Sequence, residues 1–196
     1  MEPIILASSS PRRQEILKRM NIPYAVVPAD IEEIIPEEIG ATEAPEYLAA
    51  KKVEAVARRL TNNQEVGWIL GADTIIYQRG KIYGKPKSPQ EASDFLRELS
   101  GTTHKVITGV VLYNGKLHDF TSRTSINKVT FAEISEDTIE WYINTNEWHG
   151  AAGGYKIQGL ASIFISKIEG TESSIMGLPI HELYDMLVEQ NYQFTK

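Results

Sequence analysis

Pro3-Ile4-Ile5-Leu6-Ala7-Ser8-Ser9-Ser10-Pro11-Arg12-Arg13 runs from an apolar stretch through a hydroxyl-rich turn to two guanidinium groups, and leads directly into the helical spacing of Ile16, Leu17 and Met20. A short strand that turns into a helix through small residues signals an α/β protein. The turn is also an anion cradle by construction, because the first backbone N–H groups of a helix lack intrahelical partners and point at whatever occupies the turn. Ser10 is expected as the N-cap and Pro11 at the first helical position, where no N–H is needed. Arg12 and Arg13 place fixed positive charge at a helix N-terminus, which the helix dipole disfavours unless an anion arrives to offset it. The alternative is a capped surface helix with two solvated arginines.

With 196 residues, 42% of them apolar, the chain is long enough for one sizeable core or for two lobes sharing a sheet. A net charge of −6 argues against sequence-independent nucleic-acid binding, so any phosphate chemistry needs a local basic pocket. The absence of cysteine excludes a disulfide framework and a thiolate metal site, and suits a reducing compartment. The apolar run after Met1 is too short for the core of a signal peptide, and no stretch approaches the length needed to span a bilayer. The expected address is the cytoplasm, with no membrane partner.

Short β-like runs alternate with longer helical ones, the pattern of an α/β fold with a largely internal sheet. Tyr24 to Val27 reads as a strand, followed by the acidic loop Asp30-Ile31-Glu32-Glu33. Thr42 to Leu60 reads as a helix with Tyr47, Leu48, Val53, Val56, Ala57 and Leu60 apolar, and with Lys51, Lys52, Arg58 and Arg59 on other faces. Trp68-Ile69-Leu70 is a buried-strand run that is expected to stop at Gly71-Ala72-Asp73-Thr74 and to resume at Ile75-Ile76-Tyr77. Gly80-Lys81 predicts a hairpin turn, and Gly84-Lys85-Pro86 leads into a helix from Ser88 to Leu99. Strands follow at Lys105 to Tyr113 and His118 to Phe131, joined through Asn114-Gly115. A helix from Ser135 to Asn144, a glycine-dense loop from Trp148 to Gly159, a strand from Ala161 to Ile168 and a helix from Leu178 to Glu189 complete the chain. The glycine loop and the Ser-Pro-Arg-Arg turn are far apart in sequence and are expected on facing sides of a cleft.

Asp73 falls at an expected strand break, where a loop presents reactive groups on a rigid base. It is either a turn former or a carboxylate that binds a divalent cation, activates water, or does both. Glu32 and Glu33 form a second acidic cluster, which is solvated surface unless the fold brings it to Asp73. Of the neighbours Lys51 and Lys52, one is expected to face water. Lys85, between Gly84 and stiffening Pro86, has a defined origin from which its amine can reach a phosphate. Arg12, Arg13, Lys52 and Lys85 would together match the charge of a triphosphate, with Mg²⁺ held by carboxylates neutralising the rest. His104 and Thr108 could be functional, but a histidine at a strand start is more often a satisfied structural residue, and His104 is not read as catalytic. Gln158 either knits its loop together or offers a donor and an acceptor to the N3–H and O4 edge of uracil or thymine.

In order, Ala7-Ser8-Ser9-Ser10-Pro11-Arg12-Arg13, Gly71-Ala72-Asp73-Thr74, Gly84-Lys85-Pro86, Leu99-Ser100-Gly101 with His104, Tyr155-Lys156-Ile157-Gln158-Gly159 and Gly177-Leu178-Pro179 resemble the Maf family of nucleoside triphosphate pyrophosphatases across nearly the whole chain. The resemblance implies an inosine triphosphate pyrophosphatase-like α/β fold, an elongated mixed sheet flanked by helices, forming a single domain over residues 1–196 with two lobes and a cleft. It implies hydrolysis between the α- and β-phosphates to a nucleoside monophosphate and pyrophosphate, with Mg²⁺ or Mn²⁺, in the service of nucleotide-pool sanitation. Asp73 matches the family's proton acceptor, and Arg12, Thr74 and Gln158 match the positions that sort substrates. Ser9, Arg13, Lys52 and Lys85 match the phosphate-contacting set, and Glu33 joins Asp73 as an acidic position associated with metal. Thr74 together with Tyr-x-Ile-Gln-Gly looks like the branch acting on dTTP and UTP, whose substrates could include modified pyrimidine nucleotides. A homodimer is implied by the resemblance alone. Ala151 stands where many relatives carry lysine, Gly170-Thr171-Glu172 where Gly-Ser-Tyr is frequent, and Lys156 where smaller residues are common. The alternative reading is a nucleotide-binding regulator of cell division and septum formation with little turnover.

Overall fold

The computed structural model describes residues 1–60 and 67–195. Along the chain run β1 (Ile4–Leu6), α1 (Pro11–Arg19), β2 (Tyr24–Val26), α2 (Ala44–Leu60), β3 (Trp68–Gln78), β4 (Lys81–Tyr83), α3 (Pro89–Leu99), β5 (Thr103–Asn114), β6 (Asp119–Phe131), α4 (Glu136–Asn144), β7 (Ile165–Glu169), α5 (Glu172–Met176) and α6 (Ile180–Glu189). Among the described residues seven strands form one sheet in the order β2-β1-β3-β5-β6-β7, with β4 paired to β3. β1 lies parallel to both β2 and β3, with Leu6 opposite Val26 and Leu70, whereas β4 and β7 run antiparallel to β3 and β6. The fold is therefore α/β, a mixed sheet flanked by helices. β1 has a strand on each side, and its Ile4 and Leu6 are completely buried, which explains why it is apolar throughout.

The chain divides into two compact units, the first Met1–Asp73, Thr108–Ser125 and Gly177–Lys196, the second Thr74–Ile107 and Ile126–Met176. In the first, Ala7, Ala49, Val53, Val56, Ile69, Val111 and Tyr113 form a core between α2 and the sheet. The buried stripe of α2 is Ala44, Pro45, Leu48, Ala49, Lys52, Val53 and Val56. Lys52 thus lies within that stripe and not on another face as the apolar pattern suggests; it is seven per cent exposed, whereas Lys51 faces water.

β3 also corrects an expectation, since it runs unbroken through Gly71-Ala72-Asp73-Thr74. Gly71 is not a turn. A Cβ there would lie 2.5 Å from the Ala49 carbonyl oxygen and 2.6 Å from Val53 Cγ2, and a Cβ on Gly109 of β5 would lie 2.5 Å from the Pro45 carbonyl carbon. These two glycines let the backbone of α2 settle directly on the strands.

In the second unit, Ile76, Phe95, Leu96, Phe131, Tyr142, Trp148, Tyr155 and Phe164 belong to a core rich in aromatic rings. α3 starts as its sequence requires, with Pro89 at its first turn and Ser88 Oγ accepting from Glu91 N at 3.1 Å. The β3–β4 turn is Arg79-Gly80, both at positive φ, one residue earlier than expected. The strand expected from Ala161 begins only at Ile165, because Leu160–Phe164 forms a 3₁₀ turn whose first amides bond to the Glu147 carboxylate. α5 is too short for an apolar periodicity to announce it, and Glu172 opens its first turn, where the helix dipole favours a carboxylate.

Gly71→Ala is expected to lower stability by about 1–3 kcal/mol through overpacking against the α2 backbone. Thermal denaturation of the purified variant checks this, and an unchanged midpoint would contradict the close approach of α2.

Candidate functional site

The first unit assembles a charged cluster around the β1–α1 turn. Ala7 N donates to Leu70 O at 2.8 Å and Val27 N to Leu6 O at 3.0 Å, so the end of β1 is pinned on both sides before the turn begins. Ser10 occupies the N-cap, but its hydroxyl makes no capping bond. Ser8 takes the organising role instead, its Oγ accepting from Ser10 N at 3.2 Å and from Arg13 Nη1 at 2.9 Å. Arg13 is buried, and its Nε donates to the Gly177 carbonyl at 2.8 Å. Gly177 sits at φ 110°, a conformation that L side chains rarely adopt, which gives the Gly177-Leu178-Pro179 motif a physical role that its sequence did not disclose.

Burial lowers the pKa of the Arg13 guanidinium, the carboxylates of Asp73 and Glu33 oppose that shift, and neighbouring Arg12 adds to it. A guanidinium starts so far above neutrality that it stays charged. Arg12 is half-buried and Ser9 exposed, its carbonyl accepting from Gln14 Nε2 at 3.3 Å.

Lys52, Asp73 and Glu33 meet directly. Lys52 Nζ lies 2.5 Å from Asp73 Oδ1 and 2.7 Å from Glu33 Oε1. Gly71 and Asp73, two residues apart on β3, both face α2, the first to admit its backbone and the second to meet its lysine. Of the two candidates in the acidic loop, Glu33 reaches the ammonium, and Glu32 is exposed. Lys51 pairs with Glu54 at 3.5 Å on the solvent side.

Two carboxylates converging on one point also fit a hard divalent cation. Mg²⁺ is commonly held by one or two carboxylates with substrate phosphates and water completing its shell, and Asp73 and Glu33, which here converge on the Lys52 ammonium, are the oxygen donors of that kind in this cluster. Among the described residues no larger His, Cys, Asp and Glu group of metal-binding form occurs.

Thr74, Lys85 and Gln158 belong to the second unit. Thr74 follows Asp73 on β3 and is half-buried. Lys85 is exposed in the segment between β4 and α3, whose Gly84 carbonyl accepts from Gly153 N at 2.9 Å, and a Cβ on Gly154 would touch Pro86 Cγ at 3.5 Å. The glycine loop therefore packs against the segment that carries Lys85. Ala151 is fully buried in that loop, Lys156 is half-buried, and Gln158 stands exposed at a turn, so it does not knit the loop from within.

Beneath the loop, His104 is one per cent exposed, its Nε2 2.6 Å from the Tyr155 hydroxyl and its ring edge-on to Phe131. Burial pushes the imidazole pKa down to about 4 and that of the Tyr155 hydroxyl up. Among the described residues His104 Nδ1 meets no hydrogen-bond partner, consistent with a neutral structural ring.

A profile of the family described as "Maf-like protein" matches residues 3–190. The chain belongs to the Maf family. Among Maf relatives, a protein of Desulforamulus reducens named "dTTP/UTP pyrophosphatase" is 41% identical over 187 residues, covering 95% of this chain and 96% of that protein. A Pyrococcus furiosus protein of the same name is 43% identical over 180 residues, covering 92% of this chain and 91% of its own. Among solved structures, the Staphylococcus aureus Ham1 protein matches 67% of this Maf chain and 73% of its own at 15% identity, with a TM-score of 0.45.

Lys52→Met is expected to cost about 3 kcal/mol, because it leaves buried Asp73 without its counter-ion. Chemical denaturation measures this, and a variant as stable as the parent would remove the ion pair from the interactions that support the fold. For His104, the unfolded chain takes up a proton below about pH 6.5 that the folded chain refuses until about pH 4. Stability is therefore expected to fall as pH drops through that window, by on the order of 3 kcal/mol from this group. His104→Gln, which does not titrate, should flatten that part of the stability profile, and an identical profile in the variant would refute the assignment.

Proposed function

We propose that this chain is a nucleoside triphosphate pyrophosphatase that releases a nucleoside monophosphate and pyrophosphate, with dTTP and UTP as its substrates. The observation that carries this reading is the buried Lys52 ammonium shared by Asp73 and Glu33 within the field of the fixed Arg13 guanidinium. The Maf relatives, named dTTP/UTP pyrophosphatase at about 40% identity over nearly their full length, support the substrate class. Asp73 accepts the proton of the water that attacks the α-phosphorus, and pyrophosphate leaves with the electron pair of the broken anhydride bond. Lys52 fixes the orientation of that carboxylate through Oδ1.

Arg13, Lys52, Lys85 and Ser9 bind phosphate oxygens, with Arg13 held in place beforehand by Gly177 and Ser8. Arg12, Thr74 and Gln158 sort substrates, and the exposed Gln158 amide offers both a donor and an acceptor to a thymine or uracil edge. Glu33 and Asp73 are the residues that would hold Mg²⁺ or Mn²⁺, whose charge would polarise the phosphoryl oxygens and offset the negative charge developing there. The cysteine-free composition suits the cytoplasm, where such triphosphates are found, and no helix among the described residues is long and apolar enough to cross a membrane.

Pyrophosphate release from dTTP, UTP, dCTP, dATP and dGTP with Mg²⁺ tests the assignment. The thymine and uracil nucleotides are expected to exceed the purines by about tenfold or more in kcat/KM, and equal rates would overturn the base assignment. Asp73→Asn is expected to lower kcat by about 10²–10⁴-fold, and full activity in that variant would overturn the mechanism.

A further inference from the structure

The loop that carries Gln158 is held at one end by α4 and at the other by the chain that leaves it. At its start the Tyr142 hydroxyl donates to the Gly154 carbonyl at 3.1 Å. At its end the Glu147 carboxylate accepts from two consecutive amides, Leu160 N at 3.0 Å through Oε2 and Ala161 N at 3.3 Å through Oε1. The Tyr142 hydroxyl lies 3.4 Å from Glu147 Oε1, so the two ties are themselves in contact. The carboxylate also lies directly against Gly159, where an added Cβ would come within 2.5 Å of Oε2. A glycine at 159 and a carboxylate at 147 are therefore matched to one another, one residue beyond the glutamine.

We propose that Glu147 is a positioning residue for base selectivity, setting the turn from which Gln158 presents its amide. The inference rests on the reading of Gln158 as a residue that sorts nucleobases. Gln158 is exposed, so packing does little to fix it, and the backbone on either side decides where its donor and acceptor point. Discrimination between bases by hydrogen bonding falls off steeply as those bonds bend or lengthen. Two charge-assisted bonds to the amides that follow the glutamine provide that fixity without any contact to substrate. The segment anchored this way also opens the Leu160–Phe164 3₁₀ turn, so the carboxylate acts as a cap reached from thirteen residues upstream.

The test compares Glu147→Ala, Glu147→Gln, Gln158→Ala and the Glu147→Ala/Gln158→Ala double variant. The readouts are kcat and KM for dTTP and dGTP, with thermal midpoints measured alongside. Glu147→Ala is expected to reduce the dTTP-to-dGTP ratio of kcat/KM by about tenfold, as expected for losing hydrogen bonds to a charged group. The effect should appear mainly in the KM for dTTP. Glu147→Gln keeps one acceptor and should show a smaller loss, about threefold, and it decides the matter if Glu147→Ala fails to fold. The double variant should be no less selective than Gln158→Ala. If Gln158→Ala leaves the ratio unchanged, the base-sorting reading fails and this inference falls with it. If Gln158→Ala lowers the ratio while the Glu147 variants keep it, or lower both substrates equally together with the thermal midpoint, the positioning role alone is overturned.

Discussion

One ammonium group shared between two carboxylates constrains much of the first unit. Burying Lys52 and Asp73 removes both from water, a cost that only close pairing offsets, so helix and strand must meet at bonding distance. That distance is reached because Gly71 and Gly109 leave no side chain beneath α2, and Ala49 adds only a methyl group. A larger residue at any of these points would lift the helix and stretch the ion pair before it altered any surface. Glu33, on a segment with no regular structure of its own, gains a fixed partner in Lys52. Arg13 is located by equally specific means, since Gly177 and Ser8 accept from two different guanidinium nitrogens. The charges in this unit are therefore oriented before any ligand arrives, which is the condition under which electrostatic stabilisation needs little reorganisation.

The second unit is organised differently. Its core is aromatic, with Phe131 edge-on to His104 and to Tyr155 and at an angle to Phe164. The polar groups that reach the glycine loop from this core are neutral, His104 through Tyr155 and Tyr142 through the Gly154 carbonyl. Glu147 is the charged exception, and it is used on backbone amides at the rim of that core. Positive-φ glycines at 153 and 154 let the loop turn against Ile76, Pro86 and Ala92 without side chains of its own. Ion pairing fixes Lys52, Asp73 and Glu33 in the first unit, whereas close packing, neutral hydrogen bonds and the Glu147 carboxylate fix the loop of the second.

The order of elements was largely legible because each signal was local. Ser88 and Ser135 cap the helices their sequences announce, and the apolar β1 run is the buried strand it resembles. The failures came where a tertiary contact overrode a local rule. Gly71 looked like a break because glycine is common in turns, whereas its reason lies in the backbone of α2. The apolar pattern set Lys52 beside Lys51 off the buried stripe and left open which of the two faces water, and only the positions of Asp73 and Glu33 turn Lys52 inward. Glu32 and Glu33 could not be separated, since loops without periodicity give no face to read. Glu147 carried no signal at all, because its partners are main-chain amides that no pattern of side chains reveals.

The acidic balance of the chain sharpens the same argument. Many of its basic side chains stand in exposed ion pairs, among them Arg19 with Glu15, Lys81 with Glu98, Arg97 with Glu136, Lys116 with Glu2 and Arg123 with Glu189. Such pairs add little stability, but each cancels a positive charge that would otherwise contribute to a basic face. A polyanion that needs a continuous track of cations meets neutralised pairs over those surfaces. Arg13 and Lys52 differ in being buried, where solvent and salt screen their interactions least, and Lys52 there is shared by two carboxylates. In a chain of net charge −6 the positive groups with the least access to solvent are therefore the ones whose orientation the fold itself sets, through Gly177 and Ser8 for Arg13 and through Asp73 and Glu33 for Lys52.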